Sequence, residues 1–152
     1  MDGPPAVEVL AAAKTYPNGT QALLPVTLTV AAGDFVTLLG PSGCGKSTLL
    51  KMVAGLLAPS AGALRRWGQP VDAAYAAQAA GGALGFVFQD ATLMPWARVE
   101  TNVRLPLDLA GVPRAEADAR VREALQLVGL DRFAGHLPRE LSGGMQMRVS
   151  IA

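Results

Sequence analysis

The chain has 152 residues, 51% of them apolar and 16% charged, with 13 basic against 12 acidic side chains. Such a chain makes one domain with its own core, and a net charge of +1 spread evenly along the sequence excludes a basic arm for nucleic acid or anionic lipid. Cys44 stands alone, so there is no disulfide framework.

Met1-Asp-Gly-Pro-Pro5 lacks the basic start and apolar middle of a secretory signal, so the chain reads as intracellular. The richest apolar stretch, Leu49 to Ala58, carries Lys51 and falls short of the ~20 residues that cross a bilayer. A membrane role must come through a partner.

From Val7 to Val30, Pro17, Asn18, Gly19 and Pro25 interrupt the apolar residues, which predicts short strands joined by turns. Phe35 to Leu39 is a compact apolar run closed by Gly40, as expected of a strand buried on both faces. Leu49, Leu50, Val53 and Leu57 then take helical spacing from Lys46 to Leu57, with Pro59 and Gly62 as the stop. A strand is expected at Ala63 to Trp67, in an alanine-rich region of low charge up to Gly82 that carries no chemistry. Leu84 to Phe88 reads as a second buried strand, followed by Gln89-Asp90 and a loop with Pro95. Between Pro113 and Val128, Ala117, Val121, Ala124, Leu125 and Val128 share one helical face, with Glu116/Arg120 and Asp118/Arg122 at i,i+4 and Gly129 as the stop. A last helix starts at Ser142, an N-cap residue type.

Gly40, Pro41, Ser42, Gly43, Cys44, Gly45, Lys46 and Ser47 match G-x-x-x-x-G-K-[ST], between the strand and the helix this phosphate loop requires. Its glycines let backbone N–H groups converge on phosphate oxygens, and the helix adds its positive end. Lys46 would bridge the β- and γ-phosphates, Ser47 would offer a hydroxyl to Mg²⁺, and Thr48 lies within reach of the phosphates. The competing reading is a glycine turn with a solvated lysine. Cys44 occupies a variable position of the motif and reads as filler, with a reactive thiol as the alternative.

Three further segments narrow the class: Tyr16 in Lys14-Thr-Tyr-Pro-Asn-Gly19, Gln89 at the end of Phe86-Val-Phe88, and Leu141-Ser-Gly-Gly-Met145. With the phosphate loop they resemble the ATP-binding subunit of ABC transporters over nearly the whole chain. The resemblance implies an α/β fold: a P-loop NTPase core of about residues 1–88 with an antiparallel β N-terminal region, then a helical subdomain of about 89–152. It implies that Tyr16 stacks on adenine and that Gln89 contacts Mg²⁺ or the attacking water. It also implies that Ser142, Gly143 and Gly144 cap the γ-phosphate of ATP held by a second copy, in a head-to-tail dimer. The plainer readings are a strand-end tyrosine, a solvated glutamine and a glycine turn. Met145 stands where the commonest family pattern has Gln, with Gln146 following, a variant within importers.

Phe88-Gln-Asp-Ala-Thr-Leu-Met-Pro-Trp96 and Asn102 to Gly111 look like the importers of nitrate, sulfonate, taurine and related small solutes. In that resemblance Leu93 to Arg98 helps form a groove for the transmembrane permease subunits, and a solute-binding protein acts indirectly. The protein would sit at the cytoplasmic face of the membrane, peripherally. Met94 and Trp96 as ordinary loop anchors is the alternative, and His136 reads as a solvated loop histidine. The family continues past the signature helix with a strand ending in Asp-Glu and a later histidine, so the sequence is expected to be part of a longer ATPase. The reading is an ATPase energising an importer. A nucleotide-binding module without hydrolysis is the alternative, and an unrelated P-loop kinase leaves Ser142 to Gly144 unexplained.

Overall fold

The computed structural model describes residues 3–71 and 84–152, in two compact units, Met1–Leu84 and Gly85–Ala152. The alanine-rich stretch at 72–83 lies outside the described residues.

In the first unit, β1 (Val7–Thr15), β2 (Gln21–Val30), β3 (Ala61–Arg66) and β4 (Gln69–Pro70) form an antiparallel sheet of order β2-β1-β3-β4. β1 and β2 are the strands expected from the turn residues between them. β3 starts two residues before the expected Ala63 and turns at Trp67-Gly68 into β4. The ladder of β1 on β2 shifts register around Ala11, whose φ is +47° and whose N–H donates to Thr27 Oγ1 at 3.2 Å. Helix α1 (Lys46–Val53) packs Leu49 and Met52 onto Val9, Ala12, Leu23 and Leu64, and these six make the buried core of the unit.

α1 ends one turn earlier than the expected Leu57. Gly55 takes φ +77°, its N–H donates to Met52 O (3.0 Å), and Leu56 N–H donates to Lys51 O (2.9 Å). That paired closure is a left-handed C-cap, and glycine reaches it without the Cβ penalty. The stop is therefore Gly55, ahead of Pro59 and Gly62.

Two strand expectations are corrected. Phe35 to Leu39 forms no strand, with Phe35 96% and Leu39 88% exposed and only Leu38 packed on the core. Leu84 to Phe88 is likewise not a strand, and Leu84, Val87 and Phe88 are exposed. A strand buried on both faces needs neighbours to take its N–H and C=O groups. Among the described residues neither run has one.

In the second unit, helices α2 (Val99–Leu109), α3 (Arg114–Leu127) and α4 (Gly143–Ile151) surround a core of Val99, Val103, Val121, Leu125, Leu130, Leu141 and Val149. Short 3₁₀ turns at Asp131–Phe133 and Pro138–Glu140 join α3 to α4. α3 buries the anticipated face through Ala117, Val121 and Leu125 and stops before Gly129, as expected. Glu116 and Arg120 pair at 2.6 Å. Asp118 does not pair with Arg122: it takes Arg104 of α2 at 3.4 Å and Arg114 at 3.8 Å. Arg104 also bonds Asp108 at 3.2 Å, and that bond with the charges of both carboxylates raises its pKa above the ordinary arginine value. α2 lies in a stretch to which the sequence analysis assigns no helix, and it carries Pro106 inside it. Val99 and Val103, one turn apart and buried, hold it to the core.

Candidate functional site

The phosphate loop runs from Gly40 into α1, and all of it except Gly45 is open to solvent or half-buried. Gly45 is the N-cap of α1, with φ +97° and no side-chain cap, so the first N–H groups of the helix are left to whatever the loop receives. A Cβ on Gly45 would lie 2.7 Å from Ala22 O and 2.7 Å from Leu23 Cδ1. The loop is thus pressed onto the start of β2, and only glycine permits so close an approach. Lys46 Nζ donates to Gly40 O and Pro41 O, both at 2.7 Å, and lies 3.4 Å from Cys44 Sγ. Its ammonium is held at the mouth of the loop, where a polyphosphate would meet it. Ser42, Gly43 and Cys44 form the exposed crest, and Thr48 is half-buried in the first turn.

Tyr16 opens the loop between β1 and β2. Its N–H donates to Thr20 O and its C=O accepts from Gly19 N–H, both at 2.9 Å, and its side chain is 40% exposed. Two residues before it, Lys14 pairs with Leu23, the residue that abuts Gly45. The ladder therefore brings Tyr16 and the phosphate loop to one end of the sheet.

Ser47 is exposed, and its hydroxyl makes no hydrogen bond among the described residues. A free hard oxygen beside a phosphate loop fits Mg²⁺, which takes one or two protein oxygens and completes its shell with phosphate and water. No cluster of three or more His, Cys, Asp or Glu among the described residues makes a metal site on its own.

In the second unit, Gln89 is an exposed residue in a bend after Phe88. Ser142 is the N-cap of α4, its Oγ accepting from Met145 N–H at 3.3 Å. Gly143 and Gly144 are exposed, neither has a positive φ, and a Cβ on either would meet nothing within 4 Å. The fold itself does not ask for glycine at either position. His136 is an exposed loop residue whose ring lies 5.2 Å from that of Phe133.

Sequence reasoning missed the residues that hold this second segment in place. Gln146 Nε2 donates to Pro138 O (2.9 Å) and Leu141 O (3.2 Å), bracing the approach to Ser142. Glu140 accepts from Leu137 N–H at 2.6 Å, and with leucine in place of Ser or Thr at the N-cap no capping-box pattern marks it in the sequence. Asn102 accepts from Met94 N–H (2.7 Å) and donates to Met94 O, Ala97 O and Arg98 O (3.1–3.3 Å), tying down the 94–98 loop. Within that loop Met94 is half-buried, as an anchor should be, while Trp96 is 78% exposed. Met94 also borders a groove of about 360 Å³, lined with Phe86, Phe88, Leu93, Val103 and Val149.

Residues 23–152 match the ABC transporter family. The chain is 47% identical over 140 residues to the taurine import ATP-binding protein TauB of Rhizobium johnstonii, covering 92% of this chain and 51% of that one. It is 42% identical over 149 residues to the spermidine/putrescine import ATP-binding protein PotA of Pseudomonas aeruginosa, covering 98% of this chain and 40% of that one. The chain thus spans about half the length of the curated relatives it matches. Among solved structures it is similar to the ATP-binding cassette MJ0796, a dimer bound to ADP and Pi, with a TM-score of 0.88, 35% identity, and 95% of this chain and 67% of that one covered. CbiO1 of Clostridium perfringens, part of the ABC transporter complex cbiONQ, follows with a TM-score of 0.81, 29% identity, and 99% and 60% covered. With a phosphate loop seated on the antiparallel sheet and a serine-capped glycine pair opening α4, the chain belongs to the ABC transporter family.

Proposed function

We propose that this chain is the ATP-binding part of an ABC importer ATPase that, as a whole protein, hydrolyses Mg·ATP to drive uptake of a small solute. The observation that carries the reading is the loop packed on β2 with Lys46 at its mouth. The backbone of Gly40 to Gly45 wraps the phosphates, Lys46 meets the β- and γ-phosphoryl oxygens, and Thr48 adds a hydroxyl. Tyr16 receives the adenine ring. Ser47 would offer its hydroxyl to Mg²⁺, which offsets the phosphate charge when bound, and Gln89 keeps the role that the family resemblance gives it, toward Mg²⁺ or the attacking water. Gln89, a neutral amide, both accepts from water and donates to phosphate.

Ser142, Gly143 and Gly144 serve the ATP of a second copy in a head-to-tail dimer. Their support is the pair of exposed glycines that the fold does not require. Transmembrane permease subunits are the other partners, with a solute-binding protein acting indirectly. No helix among the described residues is long and apolar enough to cross a membrane, which suits a peripheral subunit at the cytoplasmic face. The import relatives named for taurine and for spermidine/putrescine support a small-solute importer, with a nitrate-, sulfonate- or taurine-like cargo as the finer reading.

The test is Mg·ATP binding by calorimetry together with phosphate release from the full-length protein. Lys46→Ala should weaken binding steeply and abolish release. Unchanged binding in that variant would overturn the site, whereas binding without release above the Lys46→Ala level would favour the non-hydrolysing module.

A further inference from the structure

Lys14 does two things that its place on a strand does not demand. Its ammonium stands over the Tyr16 ring, 5.7 Å from the centroid, and it donates to Ala58 O at 2.6 Å. The second bond fixes the ammonium by tying β1 to the segment that follows α1. The first sets a fixed positive charge against one face of a ring that is 40% exposed. We propose that Lys14 is a positioning residue for base recognition, holding Tyr16 from one side so that its other face is presented to the adenine ring.

The proposal rests on the nucleotide reading of the site and deepens it. An exposed tyrosine free to rotate loses rotamer freedom when a base stacks on it, and a ring already held loses less. A cation over one face is attracted by the ring's π density and draws on it, which favours stacking of an electron-rich purine on the other. Geometry separates this role from that of Lys46. Lys46 is bonded to the carbonyls of the phosphate loop itself, whereas Lys14 is bonded to Ala58 and the tyrosine.

The roles differ in which part of the ligand they serve, and two probes tell them apart: Mg·ATP, and inorganic tripolyphosphate, which has the phosphates and no base. In the full-length protein Lys14→Met should raise the Kd for ATP about two- to fivefold, the range of an exposed cation–π contact, and leave that for tripolyphosphate unchanged. Lys14→Arg, which keeps a cation over the ring, should restore ATP binding. In a Tyr16→Leu background Lys14→Met should add no further loss. Equal weakening of both ligands would make Lys14 a general charge for phosphate, and unchanged ATP binding would leave it no role; either overturns the proposal. If the lost bond to Ala58 destabilises Lys14→Met, Lys14→Gln keeps a donor for that carbonyl and carries the same comparison. Failure of the underlying reading looks different, because then the wild type binds neither ligand.

Discussion

Gly45→Ala tests whether the phosphate loop is held by its contact with β2. The new Cβ would stand 2.7 Å from both Ala22 O and Leu23 Cδ1, and Leu23 Cβ is 3.4 Å away. The leucine tip can rotate. The Ala22 carbonyl cannot, because it belongs to the backbone of a strand paired with β1. Two costs add: about 1–2 kcal/mol for alanine at a left-handed φ, and about 1–3 kcal/mol for overpacking. Gly43→Ala is the internal control, since Gly43 also has a positive φ (+83°) but a Cβ there meets nothing within 4 Å. Gly43→Ala should cost only the backbone share. Urea unfolding of the two variants should therefore separate them by about 1–3 kcal/mol, with the slope unchanged. If the loop yields and the sheet stays, the strain appears in the ligand: about 2 kcal/mol corresponds to a roughly 30-fold rise in the Kd for Mg·ATP. Equal stability of the two variants, with equal ATP affinity, would refute the idea that β2 positions the loop.

Two further perturbations address the second unit. Ser142→Arg should leave ATP binding to the monomer near normal and abolish ATP-driven dimerisation of the full-length protein, read by light scattering; a loss of monomer binding as steep as in Lys46→Ala would show that Ser142 does not act on a partner's nucleotide. Asn102→Leu removes every bond that the amide makes to the 94–98 loop and should destabilise the chain by about 1–3 kcal/mol. With Trp67→Phe as background, the emission of Trp96 should then gain mobility, and an unchanged anisotropy would mean that the loop is held by other contacts.

Much of this chain could be read from local pattern, because the physics involved is local. A loop-forming glycine spacing, a serine ahead of a helix, a repeat of apolar residues at helical spacing and a glycine after Val128 each act within a few residues, and the folded chain uses all of them. What failed depended on partners remote in sequence. Phe35 to Leu39 has the composition of a buried strand, but a strand exists only where another chain segment takes its hydrogen bonds. Asp118 had an i,i+4 arginine available and still turned to Arg104, because tertiary packing brought α2 alongside. α2 was not read from the sequence at all; it forms despite the Pro106 inside it, with Val99 and Val103 buried in the core. The roles of Lys14, Asn102 and Gln146 share this character: each bonds across a loop or between elements, which no spacing rule announces.

Gly143 and Gly144 allow the function of α4 to be tested against its stability. Glycine in the first turn of a helix costs backbone entropy that alanine does not. Here neither residue has a positive φ, and a Cβ at either meets no atom within 4 Å, so the fold gains nothing from the pair. Gly143→Ala with Gly144→Ala should therefore stabilise the chain, by about 0.4–1 kcal/mol per site, which corresponds to a rise of a few degrees in melting temperature for a domain of this size. The same methyl groups would occupy the space in which a phosphate meets the helix N-terminus, so ATP-driven pairing and phosphate release of the full-length protein should fall. A variant that is more stable and fully active would mean that nothing approaches the glycines from outside. A variant that is less stable would mean that the helix needs them after all. Only the opposed pair of results, stability up and pairing down, fits two glycines kept for a ligand that another copy of the chain supplies.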